Sequence, residues 1–255
     1  MSAVMPPPAS PRNRLLALLP ADDFERLRPH LSPIALTAGQ AIYDSGRPAD
    51  WIYFPTTVVV SFVHTTESGA TTQVGLVGNE GVLGLAVLLG AKSLPDGAIV
   101  QIAGDALRSR GEVVAEEFWR GGAFQQLLLR YLQALMTQIS QTAACNQMHS
   151  VEQRLCRWLL LCLDRVESNE LIMTQEFLAG MLGDRRESVT LAAGNLQSLG
   201  LIQYARGRVA VLDRAGLEAR ACECYEAVRS EIARLLGQRQ SGAGSATTAA
   251  NRCSG

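Results

Sequence analysis

Apolar residues between Phe124 and Ile139 recur at three- and four-residue steps: Phe124, Leu127, Leu128, Tyr131, Leu132, Leu135, Met136 and Ile139. This spacing draws one apolar stripe along a helix and predicts a long helix over 123–148, started by Gly121-Gly122. A solvated helix of this length would waste the stripe. It packs either on its own domain or on a second copy of the chain, and pairing is favoured because no charged residue interrupts 131–148.

Upstream the period shortens. "WIYFPTTVVVSFVHTT", "TTQVGLVG" and "AIVQIAGDALRS" are rich in β-branched and aromatic residues and are bounded by turn signals such as Ser68-Gly69. Short, closely spaced strands over 33–110 predict an antiparallel barrel or roll, preceded by a short helix from about Arg12 to Leu31. Downstream the helical period returns. "VEQRLCRWLLLCLDRV" predicts an amphipathic helix with Leu155, Trp158, Leu159 and Cys162 inward. "LIMTQEFLAGMLG" opens a second helix with Thr174 as N-cap, and "RRESVTLAAGNLQSLG" forms a third that ends at Gly200. "LIQYARGRVAVLD" reads as a hairpin turning at Arg206-Gly207.

The second and third of these helices, joined by a very short turn, make a helix-turn-helix. Ala179 is small where the helices cross, Gly183 supplies a positive φ at the turn, and Val189 packs the second helix inward with Leu178, Leu182 and Leu196. Arg185 and Arg186 then stand at a helix start, where the dipole disfavours cations by a few tenths of a kcal/mol, about 0.3 or more. The opposition vanishes if they face an anion or a base edge. In a helix-turn-helix the leading residues of the second helix meet the major groove. There arginine suits guanine and glutamate accepts from cytosine. Arg185, Arg186, Glu187 and Thr190 are therefore the candidate base readers. Thr174, Gln175, Ser188, Arg206 and Arg208 are the candidate phosphate contacts.

Charge changes this picture only in part. The chain of 255 residues has a formal net charge of −1, and 151–240 carries 12 Arg against 12 acids. A DNA-binding surface must come from sidedness, not from excess charge. The longest apolar run, Trp158 to Leu163, is too short to span a bilayer, and the Pro-rich start does not read as a signal peptide, so a cytoplasmic location without membrane contact is expected. The cysteines at 145, 156, 162, 222, 224 and 253 form no CxxC, and the histidines at 30, 64 and 149 are scattered. No metal site is expected from such spacing. Cys222-x-Cys224, the one close pair, reads as two thiols on a C-terminal helix, with a redox or metal switch as the sharper alternative. No G-x-S-x-G, Walker loop or HExxH is present, so no enzyme is expected.

Residues 174–225, "TQEFLAGMLG" through "LDRAGLEARACECY", resemble the C-terminal winged helix-turn-helix of Crp/Fnr-type bacterial transcription regulators. The strands at 33–110 and the long helix follow that family's order. The resemblance implies an α+β chain: a cyclic-nucleotide-binding-like β-roll and sensor domain at 13–122, a dimerisation helix at 123–148, a winged helix-turn-helix at 149–222 and a flexible tail at 241–255. It implies a homodimer on double-stranded DNA carrying an inverted repeat, with RNA polymerase as a possible further partner. Arg186 and Glu187 match the family's Arg-Glu pair, while Leu191 stands where the family has a later arginine.

Members that bind cyclic AMP hold the ribose with a Gly-Glu step and the phosphate with an Arg-Ser or Arg-Thr step. Here those positions read Gly84-Leu85 and Asp96-Gly97, and Glu80 falls before the first step. Leu85, Asp96 and Gly97 thus make a degenerate pocket. A carboxylate in place of the arginine repels phosphate, so cyclic AMP is not the expected effector and no cofactor is expected. The first cysteine is Cys145, which leaves out the N-terminal iron–sulfur cluster of oxygen-sensing members. His64 is a candidate haem ligand in principle, though a lone histidine in a β-rich region more often serves structure. The rival to a DNA-binding regulator is a ligand-sensing module whose helical part binds a protein. The arginines at 185, 186, 206 and 208 speak against it.

Overall fold

The computed structural model describes residues 12–43, 46, 50–67, 69, 71–91 and 97–237. Residues 1–11, the expected tail at 241–255, Ser68 of the expected turn, Asp96 of the degenerate pocket and Cys253 lie outside the described residues.

The expected single helix between Arg12 and Leu31 is instead three short pieces. A 3₁₀ turn at Leu16–Leu18 precedes α1 (Ala21–Leu27), and a second 3₁₀ turn follows at Arg28–His30. Pro20 is the extended N-cap residue of α1, and Pro29 sits in the second turn, where its ring rules out continued α-geometry. Buried Asn13 ties this segment to the roll, donating to the carbonyls of Pro55 and Gly81 at 2.8 and 2.9 Å.

The roll comprises β1 (Ser32–Leu36), β2 (Ala41–Tyr43), β3 (Trp51–Pro55), β4 (Val59–Thr65), β5 (Thr71–Val77), the short α2 (Leu85–Leu88), β6 (Gly97–Ile102) and β7 (Gly104–Arg110). Two antiparallel sheets run in the orders β1-β7-β3 and β2-β6-β4-β5. Their inner faces meet through Val58, Val60, Val77, Leu83, Val100 and Ala106. His64 is exposed on β4.

After α3 (Gly111–Trp119), α4 (Ala123–Met148) runs as the periodicity predicts, but the apolar stripe divides. Phe124, Leu127, Leu128 and Tyr131 are buried in the chain's own core. Leu129, Met136 and Ile139 stay exposed. One face of α4 therefore serves its own domain, while another carries exposed apolar side chains.

The C-terminal part holds α5 (Val151–Leu163), β8 (Glu170–Ile172), α6 (Gln175–Leu182), α7 (Arg186–Ser198), β9 (Ile202–Ala205), β10 (Arg208–Val211), α8 (Arg214–Arg220) and α9 (Glu223–Gly237). Ser150 and Gln153 form a reciprocal capping box that starts α5 one residue after α4 gives way at His149. The expected hairpin is β9-β10. A third strand, β8, pairs with β10 and was not expected, because three residues are too few to reveal a period.

Buried polar contacts lock the helical part to the roll. Trp158 Nε1 donates to Gln73 at 2.5 Å, and Gln138 Oε1 accepts from the Leu76 backbone at 2.5 Å. The Arg165 guanidinium meets Glu80 at 2.7 Å, both nearly fully buried, and also donates to the Leu161 carbonyl. Removing one partner of a buried pair leaves an uncompensated charge. Arg165→Met is expected to lower stability by about 3–5 kcal/mol, read as a fall in the denaturation midpoint. Glu80→Gln, which keeps an acceptor, should cost less.

Candidate nucleic-acid interface

The helix-turn-helix is assembled from local signals that the sequence carries. Thr174 caps α6, its hydroxyl oxygen accepting from the Phe177 backbone at 3.1 Å. Gly183 ends α6 at φ +61°, where a Cβ would also stand 2.8 Å from Thr72 Oγ1 on β5. Glycine is required there both by conformation and by the close approach of the roll. Leu178, Leu182, Val189 and Leu196 share one buried cluster, as their spacing predicts.

The turn is held from beneath by a buried arginine that the sequence did not single out. Arg154 on α5 donates to the Leu182 carbonyl at 2.9 Å and pairs with Asp184. Asp184 in turn accepts from the Arg185 backbone at 2.8 Å. Burial alone would raise the Asp184 carboxyl. The Arg185 N–H, the Arg154 guanidinium and the Ser188 hydroxyl outweigh it and hold the group below the usual carboxylate range.

Arg185 is the extended N-cap of α7 rather than its first residue, so its side chain leaves the helix at the tip. Arg185, Arg186, Glu187 and Thr190 are all exposed along the leading turn. The Thr190 hydroxyl donates to the Arg186 carbonyl at 2.8 Å and lies 3.0 Å from Gln175 Oε1, so α6 and α7 touch across this exposed face. Leu191, beside them, is 70% exposed. The hairpin turn carries Arg206 at φ +50°, and the Gly207 carbonyl accepts from the Met173 backbone at 2.8 Å. Tyr204 donates its hydroxyl to the Met173 carbonyl at 3.1 Å. Arg206 and Arg208 are exposed, and Arg208, across from Ile172 in the β8–β10 register, is loosely paired to Glu170 at 3.8 Å. Ser188 is half-buried against Asp184.

Two of the three degenerate-pocket positions, Leu85 and Gly97, fall among the described residues. Leu85 lines a cleft of about 240 Å³ between the roll and α4, together with Phe62, Val74, Leu132, Leu135 and Ile139. Gly97 opens β6 beside Tyr43 and Val63.

Spacing along the chain argued against a metal-ligand set, yet Cys145 and His149 at the end of α4 meet Cys222 and Cys224 at the head of α9. The pairs come from helices far apart in sequence, with Cys145 and Cys222 separated by 77 residues, so no linear motif could reveal them. Each half is a short-range signal, Cys-x₃-His and Cys-x-Cys. By contrast, burial pushes the Cys156 thiol up to about 12 and Cys162 higher still, as for inert core cysteines.

Residues 153–220 match the Crp-like helix-turn-helix domain. A transcriptional regulator of the Crp/Fnr family from Eubacterium rectale superposes with a TM-score of 0.64 at 16% identity, covering 79% of this chain and 94% of that one. FixK2 from Bradyrhizobium japonicum gives 0.65 at 15% identity, covering 75% and 98%. A Crp-family transcriptional regulator from Thermus thermophilus gives 0.61 at 23% identity, covering 74% and 96%. No curated protein matches the sequence. The chain has the fold of Crp/Fnr-family transcription regulators, with a helix-turn-helix DNA-binding domain at its C-terminal end.

Asp184→Asn should weaken the anchored turn by about 1.5–3 kcal/mol, the worth of hydrogen bonds to a charged group. Because the folded carboxyl titrates low, its contribution is complete above the ordinary value near 4 and is lost as pH falls through the depressed one. The stability gap between the wild type and Asp184→Asn, followed by denaturation from pH 6 downward to about 2, should therefore close in acid.

Proposed function

We propose that this chain of Crp/Fnr-regulator fold works as a homodimeric, sequence-specific transcription regulator that binds an inverted repeat in duplex DNA. The observation that carries the reading is the leading turn of α7. Arg185, Arg186, Glu187 and Thr190 stand exposed there on a turn anchored by the pair of buried Arg154 with half-buried Asp184. Base-edge contacts would come from these four, arginine to guanine and glutamate to cytosine. Thr174, Gln175, Ser188, Arg206 and Arg208 would touch phosphates and fix the register. Exposed Leu191 suits a thymine methyl where an arginine would select guanine.

Pairing is supported by the free face of α4. Leu129, Leu132, Met136, Ile139 and Ala143 alternate three- and four-residue steps, the spacing of a two-helix seam, and none is buried in the chain itself. Two copies joined there would present their α7 helices to successive turns of one groove. Among the described residues, no helix is long and apolar enough to cross a membrane, which is compatible with a cytoplasmic regulator acting through RNA polymerase. The lining of the cleft favours an apolar effector over a phosphate-bearing one, since no charged side chain borders it among the described residues.

Three outcomes test this reading. In a binding assay on a matched operator, Arg186→Ala should lose about 1–3 kcal/mol of discrimination between cognate and altered half-sites, roughly 5- to 150-fold. Retained discrimination would sink the assignment. Met136→Glu should yield a monomer by light scattering and lose operator affinity. Calorimetry with cyclic AMP should give no heat of binding, and micromolar affinity would overturn the effector reading.

A further inference from the structure

The last turn of α4 carries Cys145, and His149 ends the helix four residues on, so both lie on one face. Cys222 immediately precedes α9 and Cys224 lies in its first turn. Three sulfurs and one imidazole nitrogen lie within 4.8 Å of one another. Cys145 Sγ is 3.5 Å from Cys222 Sγ, and Cys224 Sγ is 3.6 Å from His149 Nδ1. Around a tetrahedral zinc ion with Zn–S bonds of about 2.3 Å, neighbouring ligand atoms stand about 3.8 Å apart. The ligand set is nearly closed on that geometry already.

The surroundings match as well. Cys145, Cys222 and Cys224 are 0%, 4% and 2% exposed, and they form a small cluster separate from the three larger cores. His149 turns Nδ1 toward the sulfurs and sets Nε2 3.2 Å from Glu223 Oε1. A carboxylate on the outer nitrogen is how metal-bound histidines are generally oriented. Three thiolates and a neutral imidazole around a divalent ion leave one negative charge. The buried guanidinium of Arg157 acts on Cys145 and Cys224 with the opposite sign.

We propose that Cys145, His149, Cys222 and Cys224 bind one zinc ion in a closed tetrahedral site. Four protein ligands leave no open position, so the ion is structural rather than catalytic. A four-iron cluster is disfavoured, because each cysteine would sit on a different iron and the sulfurs would be held out of mutual contact. The ion staples the end of α4 to the head of α9. The α4–α5 joint at His149-Ser150 then sits at the staple itself, so metal loss or thiol oxidation loosens the link between long helix and recognition helix. This last consequence rests on the DNA-binding reading.

The test uses the full chain purified under reducing conditions. Elemental analysis should return one zinc per chain, and cobalt substitution should give the intense visible bands of a tetrahedral thiolate site. Cys222→Ser and His149→Ala should weaken zinc binding more than about 100-fold, and Glu223→Gln about tenfold, the scale of outer-shell losses. Cys156→Ala and Cys162→Ala should keep the metal. If a ligand variant fails to fold, the wild type still decides: three thiols should be protected from alkylation with zinc and exposed by a chelator. A reduced protein that neither contains nor takes up zinc, one that holds iron or copper instead, or a Cys145–Cys222 disulfide would overturn the site. Chelation that strips zinc without changing operator affinity would overturn the coupling. Zinc bound at these residues in a protein with no DNA affinity would support the site and count against the regulator reading.

Discussion

Burial of α5 on nearly every side is the constraint on which the rest of the structure depends. From Arg154 to Leu163 every residue is buried, although arginines and a tryptophan are among them. A polar group taken out of water costs free energy unless it is paired. Each buried polar side chain here finds its partner on a different part of the chain. Arg154 reaches the turn before α7, Arg157 donates to Thr142 on α4 at 2.7 Å, and Trp158 reaches Gln73 on β5. Just beyond the helix, Arg165 reaches Glu80. Satisfying α5 therefore fixes the roll, the long helix and α7 against one another.

This arrangement explains how a nearly neutral chain exposes a cluster of arginines at one end. The arginines that hold the structure together are buried and paired with carboxylates, carbonyls or a hydroxyl. Arg185, Arg186 and Arg206 are exposed at the tips of the helix-turn-helix and hairpin. Sidedness replaces net charge. The same division runs along α4, where Tyr131 and Leu128 serve the chain's own core while Met136 and Ile139 remain outside it.

Elements with a long period or a strong local signal were legible in the sequence. The bounds of α4, the Thr174 cap, the Gly183 turn and the Gly200 stop each follow from a few adjacent residues. What escaped depended on contacts between distant segments. The division of the α4 stripe is set by which face meets α3 and the roll, and periodicity alone does not contain that. The Arg154–Asp184 anchor and the Cys145, His149, Cys222 and Cys224 grouping each join two short signals that are weak when read apart. The Arg12–Leu31 helix failed for a local reason, since Pro20 and Pro29 divide it into turns.

In-vitro selection of random duplex DNA on the purified, reduced full chain bears most directly on the claim that this surface reads sequence as a symmetric pair. The expected result is an enriched inverted repeat whose half-site centres lie about 34 Å apart, one turn of the duplex. Enrichment of no sequence, or of a single unrepeated half-site, would contradict it.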